Sequence, residues 1–212
     1  MNCEGSMGFT DWVAVHYTKI WAGGAERNGG EFGIIPAEMN ARLKTTLKAW
    51  PVVTAATVAV CYLTKTAAEL CGIELPDQEN ITVVKQLVEH MFDSTRHFYA
   101  CMRLFATVLF VMPAIEEFVF RYLLFRLPTR AMGASLSDLR VAAAVAAISS
   151  ALFSAAHYLA QPFPDAAFIA LFFFGFAQCW LYMKTDRIWC TMLNHCLFNL
   201  ANLVLAIVSI YV

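Results

Sequence analysis

Pro113-Ala114-Ile115-Glu116-Glu117-Phe118-Val119-Phe120-Arg121 sets two adjacent carboxylates and a guanidinium inside an otherwise apolar run, Leu104 to Phe125. Ionisable groups are expensive in hydrocarbon, roughly 2.5–3.5 kcal/mol each at the centre of a spanning helix on insertion scales, so three together face a protein interior or a wet cavity. Helical geometry separates their tasks. Residues four apart share a face, so Glu117 can pair with Arg121, with the glutamate on the favourable N-terminal side. Glu116 is turned about 100° from its neighbour by the 3.6-residue period and looks elsewhere. One carboxylate is thereby neutralised and the other left free.

The rest of the chain supplies a bilayer setting for this stretch. Its 212 residues are 59% hydrophobic with a mean hydropathy of +0.58, against about 45–50% apolar residues in soluble domains. A net charge of −1 and a pI near 6.5 offer no basic face, and with no aromatic-basic interleaving they exclude nucleic acid as a partner. Seven cysteines, an odd number without any CxxC and mostly inside apolar runs, read as packing residues rather than a disulfide framework or zinc ligands.

Five apolar segments follow one another, which predicts an all-α fold: a polytopic membrane helical bundle of about five transmembrane helices in one domain, residues 47–212. Residues 1–46 hold no run long enough for a signal peptide or a span, and read as a cytoplasmic extension or an interfacial amphipathic helix around Trp12 to Trp21. The first span is expected from about Lys48 to Glu69, with Pro51 in its opening turn and Gly72 at its end. A polar connector, with a short surface helix over Thr82 to Phe92, leads to a second span from about Tyr99 to Phe125, closed by Arg126, Pro128 and Arg130. That span exceeds the ~20 residues of a straight crossing, which predicts a tilt, or a kink near Pro113.

The third span, Leu139 to Ala160, is built from small residues that permit close helix approach, and Gly175 in the fourth, Asp165 to Met183, marks another such contact. A turn over Lys184 to Arg187 opens the last span, Ile188 to Val212. Lys and Arg placement orients the bundle. Arg42, Lys44, Lys48, Arg126, Arg130, Arg140, Lys184 and Arg187 flank one side, and the other has Lys85, Arg96 and Arg103 among several acids, so the N-terminus is expected to be cytoplasmic.

Two histidines lie within the spans, each with a partner at helical spacing: Phe153 and His157 form FxxxH, His195 and Asn199 form HxxxN. A lone His on an apolar helix is most often a satisfied core residue. Polar groups from three spans of one small bundle need partners inside the membrane, and these are available to one another.

EExxxR at Glu116, Glu117 and Arg121, then FxxxH, then HxxxN, with a Phe-rich, Gly-bearing span between the last two, resembles the CAAX protease and bacteriocin-processing (CPBP, or Abi) family of intramembrane proteases. The similarity runs over about Phe110 to Leu203. It implies an endopeptidase acting on membrane-associated peptides or proteins, with or without a lipid tail. The family includes the enzyme that trims prenylated CAAX proteins, and bacterial relatives tied to bacteriocin maturation, self-immunity and lysostaphin resistance. It also implies a multi-pass protein in contact with membrane lipid, expected in a bacterial plasma membrane.

Carried across residue by residue, the resemblance makes Glu116 the general base on water and Glu117 with Arg121 the supporting pair. It sets His157 beside the water or scissile carbonyl, and gives His195 and Asn199 the oxyanion. Such chemistry needs a base for water and donors aimed at the developing charge, and a dry cavity strengthens both. Two readings of the cofactor stay open: none, or a Zn²⁺ held by Glu116, His157 and His195 with an open position. Asn199 is an unusual zinc ligand, which favours the metal-free reading.

The rivals are a non-catalytic immunity or scaffold protein of the same fold and a small proton-coupled transporter; five unrepeated spans speak against the latter. The loop Gly133-Ala134-Ser135 lies outside the spans, and HExxH is absent, which ranks a serine or zincin mechanism low. One tension remains. Counting about 1.5 Å per residue puts Glu116, His195 and Asn199 near mid-depth but His157 closer to the outer surface, so tilt or a kink must recover several ångströms.

Overall fold

Helix α1 spans Ala37–Leu70, starting eleven residues before the expected Lys48. The computed structural model describes residues 37–75, 86, 88–132, 138–160 and 167–211. The expected amphipathic segment around Trp12 to Trp21, and residues 82–85 and 87 of the expected surface helix, lie outside those residues; 86, 88 and 89 are helical and 90–92 form a turn. The early start of α1 has local causes: Glu38 and Arg42 pair at i,i+4, 3.8 Å apart, and Thr45 and Thr46 donate back to the carbonyls of Ala41 and Arg42. Residues 37–46, assigned from sequence to the extension, are therefore helix, and Pro51 sits inside α1 rather than in its opening turn. The far end closes as foreseen. Gly72 adopts φ +72°, its N–H donates to Glu69 O, and the Ile73 N–H reaches Ala68 O, the paired bonds of a Schellman cap.

Four more long helices follow, and among the described residues there are no strands. Thr95–Ala131 is one continuous helical run, α2, capped by Ser94, whose hydroxyl accepts from the His97 N–H. It carries past Arg126, Pro128 and Arg130, which were expected to close it. Two stretches of α2 wind with π-helical turns, Thr107–Val111 and Phe118–Arg126, on either side of the α-helical Met112–Glu117. Helix α3 is Leu139–Ala160, α4 Ala167–Thr185 and α5 Ile188–Tyr211. All five are long and apolar enough to cross a membrane. The chain is an integral membrane protein.

α3 packs on α4, α1 lies against α4 and α5, and α2 against α3 and α5. The small-residue face of α3 makes this possible. A Cβ on Gly175 of α4 would meet Ser150 Cβ at 3.1 Å and Ser150 Cα at 3.2 Å, so glycine is what allows α3 and α4 to touch. Two apolar clusters form the interior, Phe125, Val145, Ala146, Cys179 and Tyr182 in one, Val53, Phe153, Phe174 and Phe198 in the other. Between them along α2, α3 and α4 runs a buried polar layer: Glu117 and Arg121, Ser149 and Ser150, and Gln178. Outside, Val52, Leu63, Phe110, Ile148 and Leu205 are exposed by the bundle itself, as suits helices whose solvent is hydrocarbon.

Candidate active site

Glu117 and Arg121 meet as the i,i+4 spacing predicts. Arg121 Nε lies 3.2 Å from Glu117 Oε2, and both side chains are fully buried. The guanidinium also lies over the Phe153 ring, with Cζ 4.7 Å from its centroid, a cation–π contact that gains weight away from water. The second oxygen of Glu117 is 2.9 Å from His195 Nδ1. Glu117 thus joins a cation and an imidazole, and orients the ring so that Nε2 faces the other carboxylate.

Glu116 is that other carboxylate, and its side chain is 14% exposed. Its Oε2 lies 3.6 Å from His195 Nε2 and its Oε1 3.9 Å from His157 Nε2. Both separations exceed a hydrogen bond, so the carboxylate stands between two imidazoles without being consumed by either. His157 is the accessible flank at 34% exposure, and His195 the closed one at 5%. Aromatic walls complete the site: Phe153 lies 4.5 Å from the His157 ring, and Phe174 4.9 Å from that of His195, between centroids.

The depth mismatch of His157 is resolved by side-chain direction. Side chains on a helix lean toward its N-terminus, and α2 and α3 are consecutive, oppositely directed spans. Glu116 and His157 therefore lean toward each other along the bundle axis. His157 reaches back over its own helix, with Nδ1 3.0 Å from Phe153 O.

Asn199 lies one turn beyond His195 on α5 and is bonded to the backbone of α2. Its amide Nδ2 donates to the backbone carbonyl of Val108 at 2.9 Å. That carbonyl lies in the first π stretch, where Met112 N–H bonds Thr107 O five residues back. The next bond in that register would run from residue 113 to Val108 O, but Pro113 has no N–H to give. Asn199 supplies the missing donor from α5. One of its two amide N–H groups is thus committed to the backbone. The second π stretch repeats the device: Ser149 Oγ on α3 donates to Phe120 O. π turns leave carbonyls poorly served within the helix and occur often at functional sites.

Residues 98–201 match the family described as type II CAAX prenyl endopeptidase Rce1-like. The match covers just under half of the chain and makes this segment similar to that family. No curated protein and no solved structure matches the chain. The Rce1-like segment contains all six residues singled out from the sequence, and the fold brings five of them, Glu116, Glu117, Arg121, His157 and His195, into one cluster, with Asn199 one helical turn from His195.

Sequence reasoning missed the wall residue Phe174, which is hidden in a run of three phenylalanines where only rotation of α4 decides which one faces His195. It also missed Val108, whose part is played by a backbone carbonyl with no side-chain signature; Pro113 five residues on was the available clue. A zinc site of Glu116, His157 and His195 was one reading of the same motifs. Among the described residues, no three His, Cys, Asp or Glu side chains are grouped so as to hold a metal ion.

Proposed function

We propose that the chain is an intramembrane endopeptidase that hydrolyses peptide bonds of membrane-associated, CAAX-type substrates, with Glu116 as the general base on water. The observation that carries this reading is the division between the glutamates. Glu117 is fully buried against Arg121 and His195, whereas Glu116 is partly open and stands between two imidazoles. In the reaction Glu116 takes a proton from water, and the hydroxide forms its bond to the scissile carbonyl carbon. The carbonyl electrons move onto oxygen. His195, whose Nδ1 is held by Glu117, can offer Nε2–H to that oxyanion when both its nitrogens carry protons. Collapse breaks the C–N bond, and the proton on Glu116 passes to the leaving amine, so the base ends as it began. His157 lies on the accessible flank, where it can order the incoming water or carbonyl. Asn199 serves as a positioning residue that fixes α5 to α2, and with them His195 to Glu116. This scheme uses no metal; the alternative is a Zn²⁺ held by Glu116, His157 and His195, with Asn199 outside the ligand set.

The test is proteolysis by the purified full chain in nanodiscs, with farnesylated and unprenylated CAAX peptides as substrates and products read by mass spectrometry. Release of the C-terminal tripeptide is expected, together with its loss in Glu116→Gln, which keeps shape and hydrogen bonding but not the base. Near-normal turnover by that variant refutes the base assignment. No cleavage of either peptide by a folded wild type favours the non-catalytic reading.

A further inference from the structure

A groove of about 330 Å³ opens between α1 and α4, and none of the glutamate-site residues lines it. Val52, Ala56 and Val60 line one wall, and Phe173, Ala177 and Trp180 the other. It is almost wholly apolar: the one hydroxyl among its lining residues, on Thr57, is spent on Val53 O at 2.8 Å. Such a groove, opening sideways from membrane-crossing helices, is bathed in hydrocarbon rather than water.

Its ends give it a direction. The first and fourth spans run antiparallel, so Val52 and Trp180 mark one end. Lys48 precedes Val52 by four residues and Lys184 follows Trp180 by four, each about 6 Å further along its helix. Lys184 turns back toward the groove, with Nζ 5.9 Å from the Trp180 ring centroid. Both lysines are exposed. The acids nearest them in sequence are engaged elsewhere, Glu38 with Arg42 and Asp186 with Arg126, and neither lysine makes an ion pair among the described residues. From Val52 to Val60 the groove covers about 12 Å. Added to the 6 Å above it, this is close to the ~15 Å depth of one leaflet, half of the ~30 Å hydrocarbon core.

We propose that this groove binds an anionic glycerophospholipid, one acyl chain lying between α1 and α4 and the headgroup phosphate between Lys48 and Lys184. A zwitterionic lipid offers the same phosphate but brings a quaternary ammonium beside the two lysines, so net charge complementarity favours the anionic class.

The experiment reconstitutes the full chain in vesicles of equal parts phosphatidylglycerol and phosphatidylcholine, then extracts it gently and reads bound lipid by native mass spectrometry. One retained phosphatidylglycerol per chain is expected, favoured over phosphatidylcholine by roughly thirtyfold, the combined weight of two basic residues near an anionic surface. Lys48→Gln with Lys184→Gln should bring that preference close to unity with helix content unchanged. Ala56→Trp fills the groove from an exposed position and should remove the retained lipid. Should it fail to fold, Val52→Trp makes the same test from a side chain that is 67% exposed. Equal retention of the two lipids by the wild type, or undiminished retention by the folded tryptophan variant, overturns the proposal. So does a lipid-free dimer that the tryptophan variant dissociates, which assigns the groove to a second copy. Displacement of the lipid by one farnesylated peptide per chain also overturns it, by assigning the groove to a substrate tail.

Discussion

Replacing Asn199 with leucine separates two accounts of the HxxxN motif. If Asn199 holds the Val108 carbonyl, the loss is one 2.9 Å hydrogen bond to a group that Pro113 has already deprived of its helical donor. An unsatisfied buried acceptor costs about 1–3 kcal/mol, but interhelical hydrogen bonds in membrane bundles average about 0.6 kcal/mol and reach about 1.7. About 1 kcal/mol of stability is therefore the expected loss, with turnover lowered less than about tenfold as Glu116 and His195 drift slightly apart. An oxyanion donor would behave otherwise, since removing one costs about 10²–10³ in kcat with little change in stability. The assay pairs peptide turnover with unfolding in a graded detergent titration. A second variant sharpens it: Pro113→Ala restores an N–H near the orphaned carbonyl, so Asn199→Leu should cost clearly less stability in that background. A loss of a hundredfold or more in kcat at unchanged stability, with no coupling to residue 113, refutes the positioning role.

Other outcomes follow from the same geometry. Glu117→Gln or Arg121→Met alone leaves an uncompensated charge in a fully buried layer and should destabilise the fold by about 3–5 kcal/mol; a double replacement with two apolar residues should recover much of that, and one as unstable as the singles would argue against the pair. His195→Gln should lower kcat by about 10²–10³ while leaving a measurable residue, because a side-chain donor persists; wild-type kcat in this variant removes His195 from the oxyanion. Gly175→Ala sets a methyl 3.1 Å from Ser150 Cβ and 3.2 Å from its Cα, a steric cost of about 1–3 kcal/mol offset by about 0.5–1 kcal/mol of helix propensity. Read in the same unfolding titration, a stabilisation of about 1 kcal/mol, the propensity gain with no steric cost, contradicts the close approach of α3 and α4. Exhaustive chelation should leave proteolysis intact, with far less than one zinc per purified chain. Stoichiometric zinc that disappears in both His157→Ala and His195→Ala would establish the metal reading instead.

How much of this was legible beforehand depends on the range of the interaction. The five spans, the Schellman stop at Gly72, the Glu117–Arg121 pair and the close approach at Gly175 follow from residue type and spacing along one helix, because hydrophobic length, left-handed backbone and the i,i+4 relation are local. The order of the motifs carried the family in the same way. Which of several phenylalanines faces His195, and which acceptor Asn199 finds, are matters of how each helix is rotated and how deep it sits against its neighbours. In α2 those quantities are reset twice by π turns, each of which lets in an extra residue and swings every later side chain by about 100°. The sequence by itself therefore determined that Glu116 and Glu117 part ways and that Glu117 takes Arg121. Only the packed bundle decided that His157 and His195 close on Glu116 from either side, because α2, α3 and α5 lean their side chains along opposed directions, a relation between helices that no single segment contains.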